Sequence, residues 1–326
     1  MPFFKDKTVV VAGGSGLAGT AIVRALHAAG AQVKATYHNR PIPEVLDGVV
    51  YHQCDLTNLD QCKDVVKDWQ YVVDAAAVVG NAKITVDNVL SLVNPNIRMG
   101  INMLEASYNA GVEKFLYFGS STAYPDVDHP VREEEMFSGD PYDKYFEMGW
   151  YKRYIEKQCE TYSRLPRPMT TMVLRLANLY GPNDDFNLDT CHALPALLRK
   201  IVEHQDPLQI WGDGKEIRDF TYVDDVADAT LLALEKINTF EQINIGQGQG
   251  VSINEFIDIL LKLENFNPYK CYDTAQPTMI PKRLINNTKA KELLGFTPKI
   301  QIEEGLDLTL TWFKQNKDRL RKEGRI

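Results

Sequence analysis

Thr8-Val-Val-Val-Ala-Gly13-Gly-Ser15-Gly16-Leu17-Ala-Gly19 runs from a short apolar stretch straight into glycines spaced three apart. The apolar run reads as a buried strand, and the Ala-rich pattern over residues 18–29 reads as the helix after it. Glycine in such a strand-to-helix turn lets backbone amides approach a pyrophosphate, whose charge the helix N-terminus stabilises. Close strand–helix packing alone would also use these glycines. Placed at the first junction of an alternating chain, the turn predicts a dinucleotide site with Gly13, Ser15, Gly16, Leu17 and Gly19 around the phosphates.

Working outward, apolar runs at 32–37, 49–53, 71–75, 114–118 and 170–176 read as further strands, with helical patterns at 96–110 and 140–165. Strand–helix alternation predicts an α/β fold, a Rossmann-type doubly wound parallel sheet covered on both faces. Past Asn178 the loops lengthen, with short helical patterns at 192–204, 223–234 and 252–263. The expected organisation is a dinucleotide-binding domain of residues 1–177 and 218–245, and a smaller α/β C-terminal substrate domain of residues 178–217 and 246–326.

Thirty-six basic against 44 acidic residues give a net charge of −8, which argues against nucleic acid or an anionic membrane as partner. No apolar run has the length of a membrane span, and the first residues lack the apolar core of a signal peptide. The five scattered cysteines include no CxxC pair, which suits reduced thiols and a cytoplasmic location. The histidines show no metal-ligand spacing and Asp184-Asp185 lacks a third ligand, so no metal site is expected.

The second predicted strand ends in Tyr37-His-Asn39-Arg40, with no acid before Glu44. An NAD-type site carries an acid here for the ribose, whereas a guanidinium suits a 2′-phosphate. NADP(H) is therefore expected ahead of NAD(H), with a solvated Arg40 as the plainer reading.

Cys54-Asp55-Leu56, Asp74-Ala75-Ala76-Ala77, Asn96-Ile-Arg-Met-Gly-Ile-Asn and Phe118-Gly-Ser120-Ser121-Thr122-Ala-Tyr124 follow in order. With the glycine turn, they make the chain resemble the extended short-chain dehydrogenase/reductase family of nucleotide-sugar epimerases, dehydratases and reductases over nearly its whole length. The resemblance implies that Asp55 and Leu56 meet the adenine end, that Ala75, Ala76, Ala77 and Leu179 line the cofactor, and that Asn96 is structural. It also implies that Ser120 polarises the reacting oxygen and Lys152 holds the nicotinamide ribose.

The segments Asn178-Leu-Tyr-Gly-Pro-Asn-Asp-Asp-Phe, His192-Ala-Leu-Pro-Ala-Leu-Leu-Arg199, Trp211-Gly-Asp-Gly, Arg218-Asp-Phe-Thr-Tyr-Val-Asp-Asp and Lys289-Ala-Lys-Glu-Leu-Leu-Gly-Phe resemble the GDP-L-fucose synthase branch of that family. This similarity implies a GDP-linked sugar met by Ser121, Asn178, His192 and Trp211, with Arg199, Arg218 and Arg283 on its diphosphate. For Arg283 a surface salt bridge is the other reading. A homodimer through a four-helix interface is also implied.

Two positions depart from the pattern. The family's proton donor is a tyrosine four residues before the lysine, where this chain has Met148. A thioether neither gives nor takes a proton. Three readings stay open: a nearby group (Tyr151, Tyr145 or Glu147) substitutes, the tyrosine was replaced by engineering, or the chain binds without hydride chemistry. The branch also pairs a cysteine with the histidine for epimerisation, and that position is Thr122. His192 then acts alone or simply hydrogen-bonds the sugar.

The expected reaction is hydride transfer between NADP(H) and sugar C4. The alternatives are an epimerase or dehydratase with a retained NAD(P) cofactor, and a silent cofactor and sugar-nucleotide binding protein. Ser120-Ser121-Thr122 holds no acid, which disfavours a 4,6-dehydratase.

Overall fold

The structure, a computed structural model, describes residues 2–167 and 169–326. The first half runs β1 (Thr8–Ala12), α1 (Leu17–Ala28), β2 (Gln32–Tyr37), β3 (Val50–Gln53), α2 (Leu59–Val66), β4 (Tyr71–Asp74), α3 (Ala82–Asp87), α4 (Leu90–Ala110), β5 (Lys114–Ser120), α5 (Phe146–Ser163) and β6 (Thr170–Leu176). The second half runs β7 (Asn178–Tyr180), α6 (Ala193–Val202), β8 (Leu208–Trp211), β9 (Ile217–Arg218), β10 (Phe220–Tyr222), α7 (Val223–Lys236) and β11 (Glu241–Ile245). It ends with β12 (Val251–Ser252), α8 (Ile253–Glu264), β13 (Lys270–Asp273), β14 (Lys282–Arg283), α9 (Thr288–Leu294) and α10 (Ile302–Lys322).

Seven parallel strands form the central sheet in the order β11-β6-β5-β4-β1-β2-β3. The order reverses beside β1, and in open sheets of this kind the crevice at that point is where ligands bind. A parallel sheet needs both faces covered, and side chains alternate along each strand to meet that need. Val9 and Val11 join Ile22, Leu26, Val226 and Leu234 on one face, where Ala290, Leu294 and Phe296 also pack. Val10 and Ala12 join Cys62, Met103, Leu104 and Ile155 on the other. A separate core of Phe186, Leu198, Ile210, Phe220, Phe256, Leu260 and Phe313 supports the C-terminal segments. The architecture is the doubly wound α/β fold expected.

Two helix starts differ from expectation, each at a proline. α4 begins at Leu90 and runs through Pro95, because Leu92, Val93 and Asn96 are all buried and packing outweighs one missing hydrogen bond. α5 begins only at Phe146: Pro141 folds across the helix start, where a Cβ on Gly149 would fall 2.5 Å from the proline ring. Among the described residues no helix is long and apolar enough to cross a membrane, and no three His, Cys, Asp or Glu side chains group to hold a metal.

Candidate active site

The glycine turn is built by close contact. Gly13 has φ +77°, and a Cβ there would sit 2.7 Å from Ala76 Cα; one on Gly19 would sit 2.0 Å from Gly13 O. Gly14 is equally constrained, 2.6 Å from Ala35 Cβ. Gly16 is different: its nearest neighbour would be Gly13 O at 3.2 Å, and it starts α1 with no side chain capping the helix amides. Backbone strain and contact thus explain Gly13, Gly14 and Gly19, while the open Gly16 leaves the helix N-terminus to an anion. Thr36 fixes the turn by accepting from Gly13 N–H at 3.1 Å on its hydroxyl and from Gly14 N–H at 2.7 Å on its carbonyl. Ser15 is buried in the turn and Leu17 half-buried at the start of α1, so the residues present fit a dinucleotide pyrophosphate.

Beyond β2, Tyr37 is half-buried and Asn39 exposed. Arg40 does not stand free there: it donates to the carbonyls of Asn183 and Asp184, which also accept from Arg325. Burial first, then the charge of Arg325, lowers the Arg40 guanidinium to about 10. Arg40 thus ties the segment after β7 to the sheet edge, a role its position in the sequence does not reveal. Asp55 accepts from Thr57 N–H at 2.9 Å and from the Thr57 hydroxyl at 2.7 Å, which holds its carboxyl below the usual range, and Leu56 is buried beside it. Ala75 and Ala76 are half-buried and Ala77 exposed along the chain past β4. Asn96 accepts from Val78 N–H at 2.9 Å and donates to Val78 O at 2.9 Å and Leu92 O at 2.7 Å, pinning the segment above the sheet.

At the end of β5, the Ser120 hydroxyl oxygen accepts from Thr122 Oγ1 at 2.9 Å and Thr122 N–H at 3.2 Å. Both bonds use the oxygen's lone pairs, so the Ser120 O–H remains to donate elsewhere. Ser121 is buried behind it. Lys152 on α5 donates to Phe118 O at 2.7 Å and lies over the Tyr117 ring at 4.8 Å. Burial lowers its ammonium to about 8, opposed by Asp74. Met148 is half-buried one helical turn earlier, on the same face.

Neither phenol considered as its substitute occupies that place. Tyr151 is 4% exposed with its hydroxyl pushed well up by burial and by Asp74, so it faces the interior rather than the cleft. Tyr145 lies beside Arg218 and Arg283, whose charges partly offset the burial that raises it. Glu147 is exposed.

His192 immediately precedes α6; desolvation lowers its pKa from the usual imidazole value, opposed by Asp185. The adjacent Cys191 is buried and its thiol pushed up to about 12, so it does not replace the cysteine missing at Thr122.

Arg218 and Arg283 are direct partners on the parallel strands β9 and β14. Arg283 is buried, donates to Tyr124 O at 3.2 Å, and leaves Nε and Nη1 without acceptors. Arg218 Nη1 reaches only backbone carbonyls, Ile217 O at 3.0 Å and Pro281 O at 3.3 Å. Two neighbouring guanidiniums with free donors suit a diphosphate. Arg199 does not join them; it donates to Phe186 O at 3.0 Å and pairs with Glu203 at 3.2 Å. Asn178 donates to Asp219 O at 3.2 Å, Leu179 is half-buried on β7, and Trp211 is exposed at the end of β8.

Two buried acids within the quoted motifs carry roles that the sequence did not assign. Asp219 accepts from Gln247 and Gly248 N–H at 2.8 Å each, holding the glycine-rich segment against β9. Asp74 ends β4 beneath the turn. Each is a single acid in or beside an apolar run, with partners remote in sequence.

The profile of the NAD dependent epimerase/dehydratase family matches residues 9–246. GDP-L-fucose synthase 1 of Arabidopsis thaliana is 30% identical over 319 residues, covering 96% of this chain and 94% of that protein. GDP-L-fucose synthase of Sinorhizobium fredii is 31% identical over 327 residues, covering 97% and 99%. Among solved structures, UDP-glucose 4-epimerase of Thermotoga maritima with UDP-glucose superposes with a TM-score of 0.85 at 28% identity, covering 95% of this chain and 99% of that one.

Proposed function

The chain belongs to the NAD dependent epimerase/dehydratase family, and on that premise we propose that it moves a hydride between NADP(H) and C4 of a GDP-linked sugar. The observation that carries this reading is the Ser120 hydroxyl, fixed by Thr122 and free to donate, on the strand whose Phe118 carbonyl holds Lys152. When bound, the nicotinamide supplies or accepts the hydride. The amides of the Gly16 turn would hold its pyrophosphate and Lys152 its ribose. Ser120 would hydrogen-bond the C4 oxygen, and Arg218 with Arg283 would neutralise the sugar nucleotide's diphosphate. Met148 has no proton to give, so the Ser120 O–H would pass its proton to the C4 oxygen and take one from the Thr122 hydroxyl that donates to it, which solvent water would replenish.

The GDP assignment rests on the relatives named GDP-L-fucose synthases. NADP(H) is favoured over NAD(H) because the end of β2 carries no carboxylate for a ribose 2′-hydroxyl, and a phosphate can replace the carbonyls that Arg40 now engages. The proposed organisation is two domains, divided as the sequence suggests. A cytoplasmic homodimer would form through α4 and α5, which expose Leu90, Trp150 and Tyr154.

A second reading, an epimerase with a retained cofactor, is favoured by His192 alone: an imidazole whose pKa desolvation lowers suits removal of a proton α to a carbonyl. Incubation with GDP-4-keto-6-deoxymannose and NADPH in D₂O separates the two. Loss of reduced-nicotinamide absorbance supports the reductase; deuterium in the sugar without such loss supports the epimerase; neither signal refutes both.

A further inference from the structure

β4 ends in a residue at odds with its surroundings. Tyr71, Val72 and Val73 are apolar and buried, as a central parallel strand requires, but the fourth position is Asp74, 2% exposed. Its neighbours across the ladder are Ala12 on β1 and Tyr117 on β5. Asp74 Oδ1 has no hydrogen-bond partner. The Ala76 N–H meets the carboxylate but leaves Oδ1 unpaired, and a buried carboxylate so placed lowers stability and marks a place where function opposes folding.

The structure offers this carboxylate one cation. Tyr117, directly beside Asp74 in the sheet, carries Lys152 Nζ over its ring at 4.8 Å while that ammonium donates to Phe118 O at 2.7 Å. The remaining titratable groups around the pair are Tyr117 on β5, Tyr151 and Cys159 on α5 and Cys62 on α2. Burial pushes all four up and keeps them neutral. Glu156 on α5 is taken by Arg175 at 2.5 and 2.9 Å. Among the described residues Asp74 is the charge that acts on Lys152, opposing the burial that would strip its proton.

We propose that Asp74 is the positioning residue of Lys152, keeping it an ammonium on the Phe118 carbonyl so that it can hold the ribose of a nicotinamide cofactor. The inference rests on the reading of Lys152 as the cofactor-holding lysine. It gives a physical role to an acid at the end of an apolar strand, in a site where Met148 stands in place of a tyrosine one helical turn before Lys152. Asp74 acts through Lys152 and touches no substrate.

The test is NADPH binding by the full-length protein, followed by fluorescence across the neutral and alkaline range, with thermal melting of each variant. Wild type is expected to lose affinity as Lys152 deprotonates, and Lys152→Met to lack that limb. Asp74→Asn should move the limb at least about one pH unit lower, roughly a tenfold change in the lysine's proton affinity. Asp74→Glu should restore part of it, and Asp74→Leu should melt no lower than wild type. An Asp74→Asn limb at the wild-type position, with NADPH bound normally by wild type, overturns this inference and leaves the dinucleotide reading intact. Weaker binding at every pH alike, with lowered Tm, makes Asp74 structural and also overturns it. Failure of wild type to bind either NADPH or NADH removes both readings.

Discussion

Replacing Gly13 or Gly16 with alanine separates the two tasks of the glycine turn. At Gly13 the alanine must adopt φ +77°, a left-handed conformation that costs about 1–2 kcal/mol. Its Cβ would also stand 2.7 Å from Ala76 Cα and 2.9 Å from Ala76 N, backbone atoms that no rotamer change can move aside. Overpacking of that kind adds about 1–3 kcal/mol, for a total loss of roughly 2–5 kcal/mol. At Gly16 the backbone is extended, φ −78° and ψ 174°, with a single contact at 3.2 Å. Alanine there costs about 1 kcal/mol, as at other helix N-caps. Its methyl, however, occupies the approach to the helix amides, and NADPH affinity should fall about tenfold or more, ~1.4 kcal/mol. Urea unfolding and NADPH titration of both variants measure the two effects. Wild-type stability in Gly13→Ala, or wild-type NADPH affinity in Gly16→Ala, would refute this account of the turn.

Met148→Tyr places a phenol one turn from Lys152 and should speed C4 reduction by on the order of 10²-fold, the scale of a positioned general acid; an unchanged steady-state rate would show that the proton does not pass that way. Glu156→Gln leaves Arg175, 1% exposed, without its counter-charge, and should cost about 3–5 kcal/mol in a denaturant titration, against no loss if the pair is dispensable. Burial, ahead of all other causes, raises the Asp184 carboxyl to about 7, so the folded protein keeps a proton that the unfolded chain releases near pH ~4. Stability from this group is therefore greatest at acid pH and is lost as pH rises through 7. Asp184→Asn should flatten the fall of Tm across that window, and an unchanged slope would contradict the assignment.

The glycine turn and the strands at 8–12, 32–37 and 170–176 were legible because sterics and burial act there on consecutive residues. The starts of α4 and α5 were not, since Pro95 and Pro141 pull in opposite directions once distant side chains decide whether a helix continues. Of the site, Lys152 reaches the strand that ends in Ser120, and Arg218 and Arg283 are paired on adjacent strands. Arg40 and Arg199 are engaged elsewhere: long guanidinium chains take whichever acceptors the fold presents, here Asn183, Asp184, Phe186 and Glu203. Tyr151 looked available from its place beside Lys152, but the next position on a helix lies about 100° around it, and α5 turns that face inward. The role of Asp74 was not legible, because one acid at the end of an apolar run says nothing about which cation lies by the neighbouring strand.

Deuteride transfer tests the central claim most directly: NADPH labelled with deuterium at nicotinamide C4 is incubated with the protein and GDP-4-keto-6-deoxymannose, and the sugar is read by mass spectrometry and NMR. The account predicts one deuterium at sugar C4, lost when Ser120 is replaced by alanine. Bound NADPH and sugar nucleotide with no label at C4 would contradict it.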